Sequence, residues 1–277
     1  MKFPKMASLI AKNFKKYKIR PSKKLGQNFL IDKSVLRKII EAANLSSQDI
    51  ILEVGPGLGI LTIELAKRVN KIIAIEKDET LHRILEGILK GRNIKNVKLI
   101  NADILKIPNS KLLINNYKLI ANLPYYITSP VIRKFLEIEA RPKLMVLMVQ
   151  KEVAERICAK PGEMSLLSVS VQFYGRPKII AYVSKKSFYP QPKVDSAVLI
   201  ITPRPVPQIN PQKFFQIVKI GFSSKRKMLI NNLSQKLKIQ KPKLKTLLKK
   251  IGINPQARAE NLSINNWLKL FHKFYSP

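Results

Sequence analysis

The chain has 277 residues, enough for one large domain and a smaller one around a substantial core. Its 45% hydrophobic and 25% charged residues are ordinary for a globular protein, but 52 Lys and Arg against 17 Asp and Glu leave a net charge of +35. That excess calls for a polyanion. With no bilayer-length apolar run and no signal-peptide pattern, the expected partner is nucleic acid in the cytoplasm and not a membrane. A single cysteine, Cys158, and two histidines exclude an internal disulfide and a cysteine-rich zinc site, and no metal is expected.

The first 24 residues hold nine Lys and Arg and no acid, which reads as a basic arm over residues 1–20. Apolar residues at Val35, Leu36, Ile39 and Ile40 have helical spacing and predict a helix over 32–44 with Asp32 as its cap. Apolar runs at 50–54, 71–76, 97–101, 117–121 and 143–149 then read as buried strands, with helices at 60–69, 79–89 and 130–138 between them. This alternation implies an α/β fold with a parallel sheet covered on both faces. A short helix at 152–157 precedes Cys158, which reads as ordinary packing. Two further runs, 178–184 and 196–202, are close in sequence and are expected to pair antiparallel at one edge, completing a seven-stranded mixed sheet.

The proline-rich stretch 203–207 is a stiff connection and the expected domain boundary. Beyond it short helices are predicted at 211–220, 225–233, 242–250 and 264–274. From Arg204 onward there are 16 Lys and Arg and one acid, Glu260, so a second domain over 204–277 is expected to bind nucleic-acid phosphates. The first domain then occupies 21–203.

The segment Ile51-Leu52-Glu53-Val54-Gly55-Pro56-Gly57-Leu58-Gly59 is a strand entering a glycine-rich turn and a helix. Glycines there let the backbone turn sharply and approach a ligand closely. The next strand ends at Glu76, where a carboxylate can accept hydrogen bonds from both hydroxyls of a ribose. A dinucleotide fingerprint needs a last glycine where Ile60 stands, and the loop has no Lys or Arg for phosphate. Both features point to an adenosine cofactor without pyrophosphate, S-adenosyl-L-methionine. Asp103, just past the third strand, suits the adenine amine.

Asn122-Leu123-Pro124-Tyr125 follows the run 117–121 and falls at the carboxyl end of a strand, where open α/β sheets bind ligands. The Asn122 side-chain oxygen and the Leu123 carbonyl, held by Pro124, can both accept hydrogens from a flat amine. Tyr125 offers a face for the rest of a nucleobase. Phe188 is the candidate for the other face, with a core aromatic as its competing reading. Turn chemistry is the competing reading of the tetrapeptide.

The residues Lys24-Leu25-Gly26-Gln27-Asn28-Phe29-Leu30, Glu53-Val54-Gly55-Pro56-Gly57 and the stretch 122–130 form one ordered set. It continues through Gln150-Lys151-Glu152-Val153-Ala154-Glu155-Arg156, the stretch 188–196 and the stretch 222–233. From about residue 20 to the end, this set closely resembles the KsgA-type small-subunit ribosomal RNA adenine N6-dimethyltransferases. The resemblance implies a Rossmann-like class I methyltransferase domain with a small helical C-terminal domain, acting as a monomer. It also implies dimethylation of two adjacent adenosines in a hairpin loop near the 3′ end of 16S rRNA, in the 30S subunit or its precursor.

By the same resemblance the cofactor is contacted at Asn28, Leu30, Gly55, Glu76, Asp103 and Asn122, with Gln27, Gly57, Lys77 and Ile104 beside them. The target adenine falls to Asn122, Leu123, Pro124, Tyr125 and Phe188. Candidate RNA contacts are Lys23, Lys24, Lys151, Arg156, Lys193, Lys225, Arg226 and Lys227. Related enzymes of large-subunit RNA share much of the pattern. A ribosome-assembly factor that binds RNA without methylating is a third reading, against which the intact glycine loop and Asn122 speak.

Overall fold

The computed structural model of the chain describes residues 16, 17, 19–22 and 25–275, so most of the expected arm, together with Lys23 and Lys24, lies outside the described residues. These residues form two compact units. One runs to Ala154 and includes Arg176–Pro203; the other consists of Glu155–Gly175 and the chain from Arg204 on. Residues 155–175, expected with the sheet, thus belong to the helical unit.

In the first unit, β1 (Phe29–Leu30) and α1 (Lys33–Ala42) lead into β2 (Ile50–Val54), α2 (Ile60–Ala66), β3 (Lys71–Glu76), α3 (Glu79–Gly91) and β4 (Val97–Asn101). Then follow β5 (Tyr117–Asn122), α4 (Thr128–Glu137), β6 (Leu144–Gln150) and α5 (Lys151–Ile157), whose residues from Glu155 on belong to the second unit. After α6 (Leu166–Tyr174), which belongs to the second unit, come β7 (Gly175–Val183), β8 (Phe188–Tyr189) and β9 (Ser196–Pro203). The main sheet has seven strands in the order β4-β3-β2-β5-β6-β9-β7. Its first five are parallel, and β9 runs antiparallel to β6. The central strands are buried on both faces, as Ile51, Leu52, Leu119, Ile120, Val146 and Leu147 show, which is why they read as unbroken apolar runs. The chain builds outward from β2 through β3 to β4 and then returns to place β5 on the other side of β2. The loops after β2 and β5 therefore open side by side at a topological switch point.

Asp32 caps α1 as expected, accepting from Ser34 N–H at 2.8 Å, and its other oxygen accepts from the Ser187 hydroxyl at 2.9 Å. That second bond fastens the start of α1 to the turn before β8. Strands β1 and β8 form a separate antiparallel ladder with Leu30 opposite Phe188. Two residues are too short for a periodicity to reveal.

The second unit holds α6 with α7 (Pro211–Gly221), α8 (Leu229–Leu237), α9 (Lys241–Lys250) and α10 (Ile264–Tyr275). Phe173 of α6 stacks on Phe214 of α7 with ring centres 4.5 Å apart, and Trp267 of α10 is fully buried against Phe222. Helix α6 carried no helical signal because Val169 and Val171 alternate with polar residues in a strand-like pattern. A capping box between Ser165 and Ser168 starts the helix instead. The helix expected over 225–233 begins only at Leu229. Before it, Lys227 N–H donates to the Ser224 carbonyl at 3.1 Å, while the buried Asn232 amide donates to the Gly221 and Ser224 carbonyls. Lys225, Arg226 and Lys227 are thus exposed on a pinned turn and not on a helix. No helix among the described residues is long and apolar enough to cross a membrane.

Candidate active site

The turn after β2 is built around its glycines. Gly57 has φ of +58°, and a Cβ on it would stand 3.3 Å from the Phe29 ring. Gly59 has φ of +77° and caps α2, and a Cβ there would come within 2.2 Å of Leu85 Cδ1. Positive φ strains any side chain at both positions, and at Gly59 a Cβ would also displace the Leu85 side chain packed behind the turn. The turn is also tied to the next strand. Glu76, 6% exposed at the end of β3, accepts from Gly57 N–H at 3.0 Å and from Asp78 N–H at 2.8 Å. Burial raises its pKa, and these two backbone donors oppose the rise. A carboxylate has acceptor sites beyond those two, so Glu76 can still take hydroxyl donors from the cleft.

Past β4, Asp103 accepts from Lys77 Nζ at 2.9 Å and from Leu105 N–H at 3.0 Å. Burial works against its ionisation, but the Lys77 ammonium and the Leu105 donor outweigh it and hold the carboxyl below its ordinary range. Asp103 is therefore an ionised acceptor with a buried neighbour, Ile104. Gln27 is committed at both ends: its Nε2 donates to Asp78 at 2.8 Å, and its Oε1 accepts from Ser22 N–H at 2.8 Å. It positions the segment before β1.

Asn122 ends β5, and its Nδ2 donates to the backbone carbonyl of Asn28 at 3.2 Å. With the amide nitrogen so engaged, its Oδ1 is the acceptor left for a ligand. Pro124 begins a short 3₁₀ turn over Tyr125–Ile127, and the Tyr125 hydroxyl is bonded to Ser196 Oγ at 2.8 Å. Burial raises the Tyr125 pKa, keeping the phenol neutral. Phe188 is 3% exposed and packs in the core with Leu30, yet it borders the same cleft. Gln27, Asn28, Leu30, Gly55, Gly57, Glu76, Lys77, Asp103 and Ile104 line one cleft with Asn122, Leu123, Pro124, Tyr125 and Phe188. Among the other candidates, Lys151, Arg156 and Lys193 are exposed.

Sequence reasoning gave no part to Asp78, Ser196 or the carboxyl of Glu53. Asp78 was open to discovery as the helix cap just before α3, whereas Ser196 has no local signal. Glu53 lies on β2, fully buried beside the cleft, and its Oε2 has no hydrogen-bond partner. Burial pushes its pKa from 4.5 up to about 8; the neighbouring Thr62 hydroxyl works against the rise and the Glu76 carboxylate adds to it. The folded value lies above the unfolded one, so this contribution to stability is whole below about pH 4.5 and lost as pH rises to about 8. The loss is on the order of 4 kcal/mol. Glu53→Gln cannot ionise and is expected to melt well above the wild type at pH 8, with that advantage shrinking toward pH 5. A melting difference that does not change with pH would contradict this assignment.

The description "Ribosomal RNA adenine dimethylase" belongs to the family model that this chain matches over residues 19–275. Among similar proteins, ribosomal RNA small subunit methyltransferase A of Dehalococcoides mccartyi is 47% identical over 262 residues, covering 92% of this chain and 88% of its own. The protein of the same name from Alkaliphilus oremlandii is 43% identical over 263 residues, covering 91% of each. A dimethyladenosine transferase from Plasmodium falciparum has a similar solved structure, with a TM-score of 0.77 and 28% identity over 89% of this chain and 97% of that one. The 23S rRNA methyltransferase ErmE gives 0.73 and 27% over 89% and 99%. With one family model spanning both compact units and relatives alike along most of their length, this chain belongs to the ribosomal RNA adenine dimethylase family.

Proposed function

We propose that the protein transfers methyl groups from S-adenosylmethionine to N6 of two adjacent adenosines near the 3′ end of 16S rRNA, within the 30S subunit or its precursor. One observation carries this reading: the Asn122–Tyr125 turn and the Gly55–Gly59 turn share a single cleft. Relatives named for the small subunit, at 43% and 47% identity, favour that substrate over the 23S rRNA of the more distant ErmE.

The residues divide the work by their chemistry. Glu76 accepts the ribose hydroxyls, Asp103 accepts the adenine amine, and the glycine turn lets the backbone lie against the cofactor. When bound, the cofactor supplies an activated methyl group. An adenine amine is a poor nucleophile because its lone pair is delocalised into the ring. Asn122 Oδ1 and the Leu123 carbonyl accept hydrogen bonds from its two N–H groups and favour a pyramidal nitrogen whose lone pair points out of the ring plane. Tyr125 and Phe188 hold the base, stacking being worth about 1–3 kcal/mol per base. No strong base is needed, since the nitrogen becomes acidic once alkylated. Positioning and preorganised acceptors therefore carry most of the rate.

The helical unit supplies an RNA contact through Lys225, Arg226 and Lys227. Reversing all three charges is expected to weaken RNA binding and to flatten its salt dependence by roughly 0.7–0.9 for each phosphate no longer neutralised. Affinity and slope that stay put would make the turn a solvated face. The substrate itself is tested by labelled-methyl transfer to undermethylated 30S particles and to 50S particles, with the modified nucleoside identified. Dimethyladenosine on 30S alone is expected; label on 50S, or on neither, would overturn the reading.

A further inference from the structure

Outside the cleft, the first unit presents aromatic rings to water among cations. Tyr182 on β7 is 57% exposed and Tyr189 on β8 is 52% exposed. From Arg176 to Asp195 the chain carries five Lys and Arg and a single acid, Asp195. That acid organises its neighbours: its carbonyl accepts from Lys151 N–H at 3.0 Å, and its Oδ1 accepts from Lys185 N–H at 2.9 Å. The Lys151 ammonium in turn lies 5.2 Å from the centre of the Tyr182 ring, within cation–π range. The next residue, Ser196, holds the Tyr125 hydroxyl at 2.8 Å. Two consecutive residues thus join this rim to the target-base end of the cleft.

A merely solvated basic face has no reason to set a large ring in water against an ammonium. Protein interfaces are depleted in lysine at their centres, so a protein partner fits poorly. A duplex keeps its bases stacked inside and would use the lysines alone. Exposed aromatics among cations are what single-stranded nucleic acid uses.

We propose that Tyr182, with Lys151 beside its ring, stacks an unpaired nucleotide of the strand that carries the target adenosine, while Lys185, Lys186 and Lys193 hold the flanking phosphates. This rests on ribosomal RNA as the substrate.

The test is fluorescence anisotropy of the full chain with a labelled single-stranded RNA and with the same RNA annealed to its complement. Tyr182→Ala is expected to weaken single-strand binding roughly 5- to 150-fold, the range of one stacked base, and to leave duplex binding unchanged. Tyr182→Phe keeps the ring and is expected to bind as the wild type does. Lys185→Glu with Lys186→Glu is expected to lower the salt slope for both ligands. Single-strand affinity unchanged in Tyr182→Ala, or an equal loss for the duplex, would overturn the platform. Methyl transfer by the wild type to 30S particles is scored separately. Its absence would count against the substrate, whereas an unaffected Tyr182→Ala would count against the platform alone.

Discussion

Asn122→Ala is expected to lower methyl-transfer turnover by about 10²–10³-fold, the effect of removing one preorganised polar partner from a reacting centre. The residue lies at the carboxyl end of a central strand, where its backbone is fixed by pairing with β6. Its Nδ2 is held by the Asn28 carbonyl, so the acceptor oxygen is oriented before a base arrives and no ordering is left for the reaction. Alanine removes that oxygen and the link to Asn28 together. The link is worth only about 1 kcal/mol, so the fold is expected to survive. Cofactor affinity, proposed to rest mainly on Glu76 and Asp103, is expected to stay close to the wild-type value. Single-turnover methyl transfer alongside calorimetry of cofactor binding separates the two effects, and near-normal turnover would remove Asn122 from the chemistry.

Glu76→Ala is expected to raise the cofactor dissociation constant about 10- to 100-fold or more, the cost of removing a charged acceptor of hydrogen bonds. Two effects combine here. The cleft is deprived of an acceptor for the ribose, and the Gly57 and Asp78 N–H groups are deprived of their shared partner, which frees the glycine turn from β3. Glu76→Gln keeps the shape and one acceptor oxygen, and is expected to fall between the alanine variant and the wild type. A dissociation constant unchanged by alanine would contradict the ribose contact.

The sheet was legible because both faces of its central strands are buried, so β2, β3, β5 and β6 spell themselves as apolar runs with clear ends. The same ends hold the proposed site residues: Glu76 is the last residue of β3, Asn122 is the last of β5, and Asp103 falls two residues beyond β4. What remained hidden depends on contacts distant in sequence. The bond between Asn122 and Asn28 spans 94 residues and that between Tyr125 and Ser196 spans 71, and neither leaves a local pattern. Helix α6 was hidden by valines spaced as in a strand, and the turn at Lys225 by a buried asparagine that closes it from the following helix. Asn28 and Leu30 entered through family resemblance, and their places follow from the two-residue ladder that composition could not show.

On the proposed reading, the target adenine meets its methyl donor between Asn122 and Tyr125. The most direct measurement is a crystal structure of the protein with S-adenosylhomocysteine and adenosine monophosphate bound together. The expected structure has the nucleotide's N6 within hydrogen-bonding distance of Asn122 Oδ1 and the Leu123 carbonyl, its ring against Tyr125, and the cofactor ribose on Glu76. An adenine bound elsewhere while the cofactor occupies the glycine turn would contradict it.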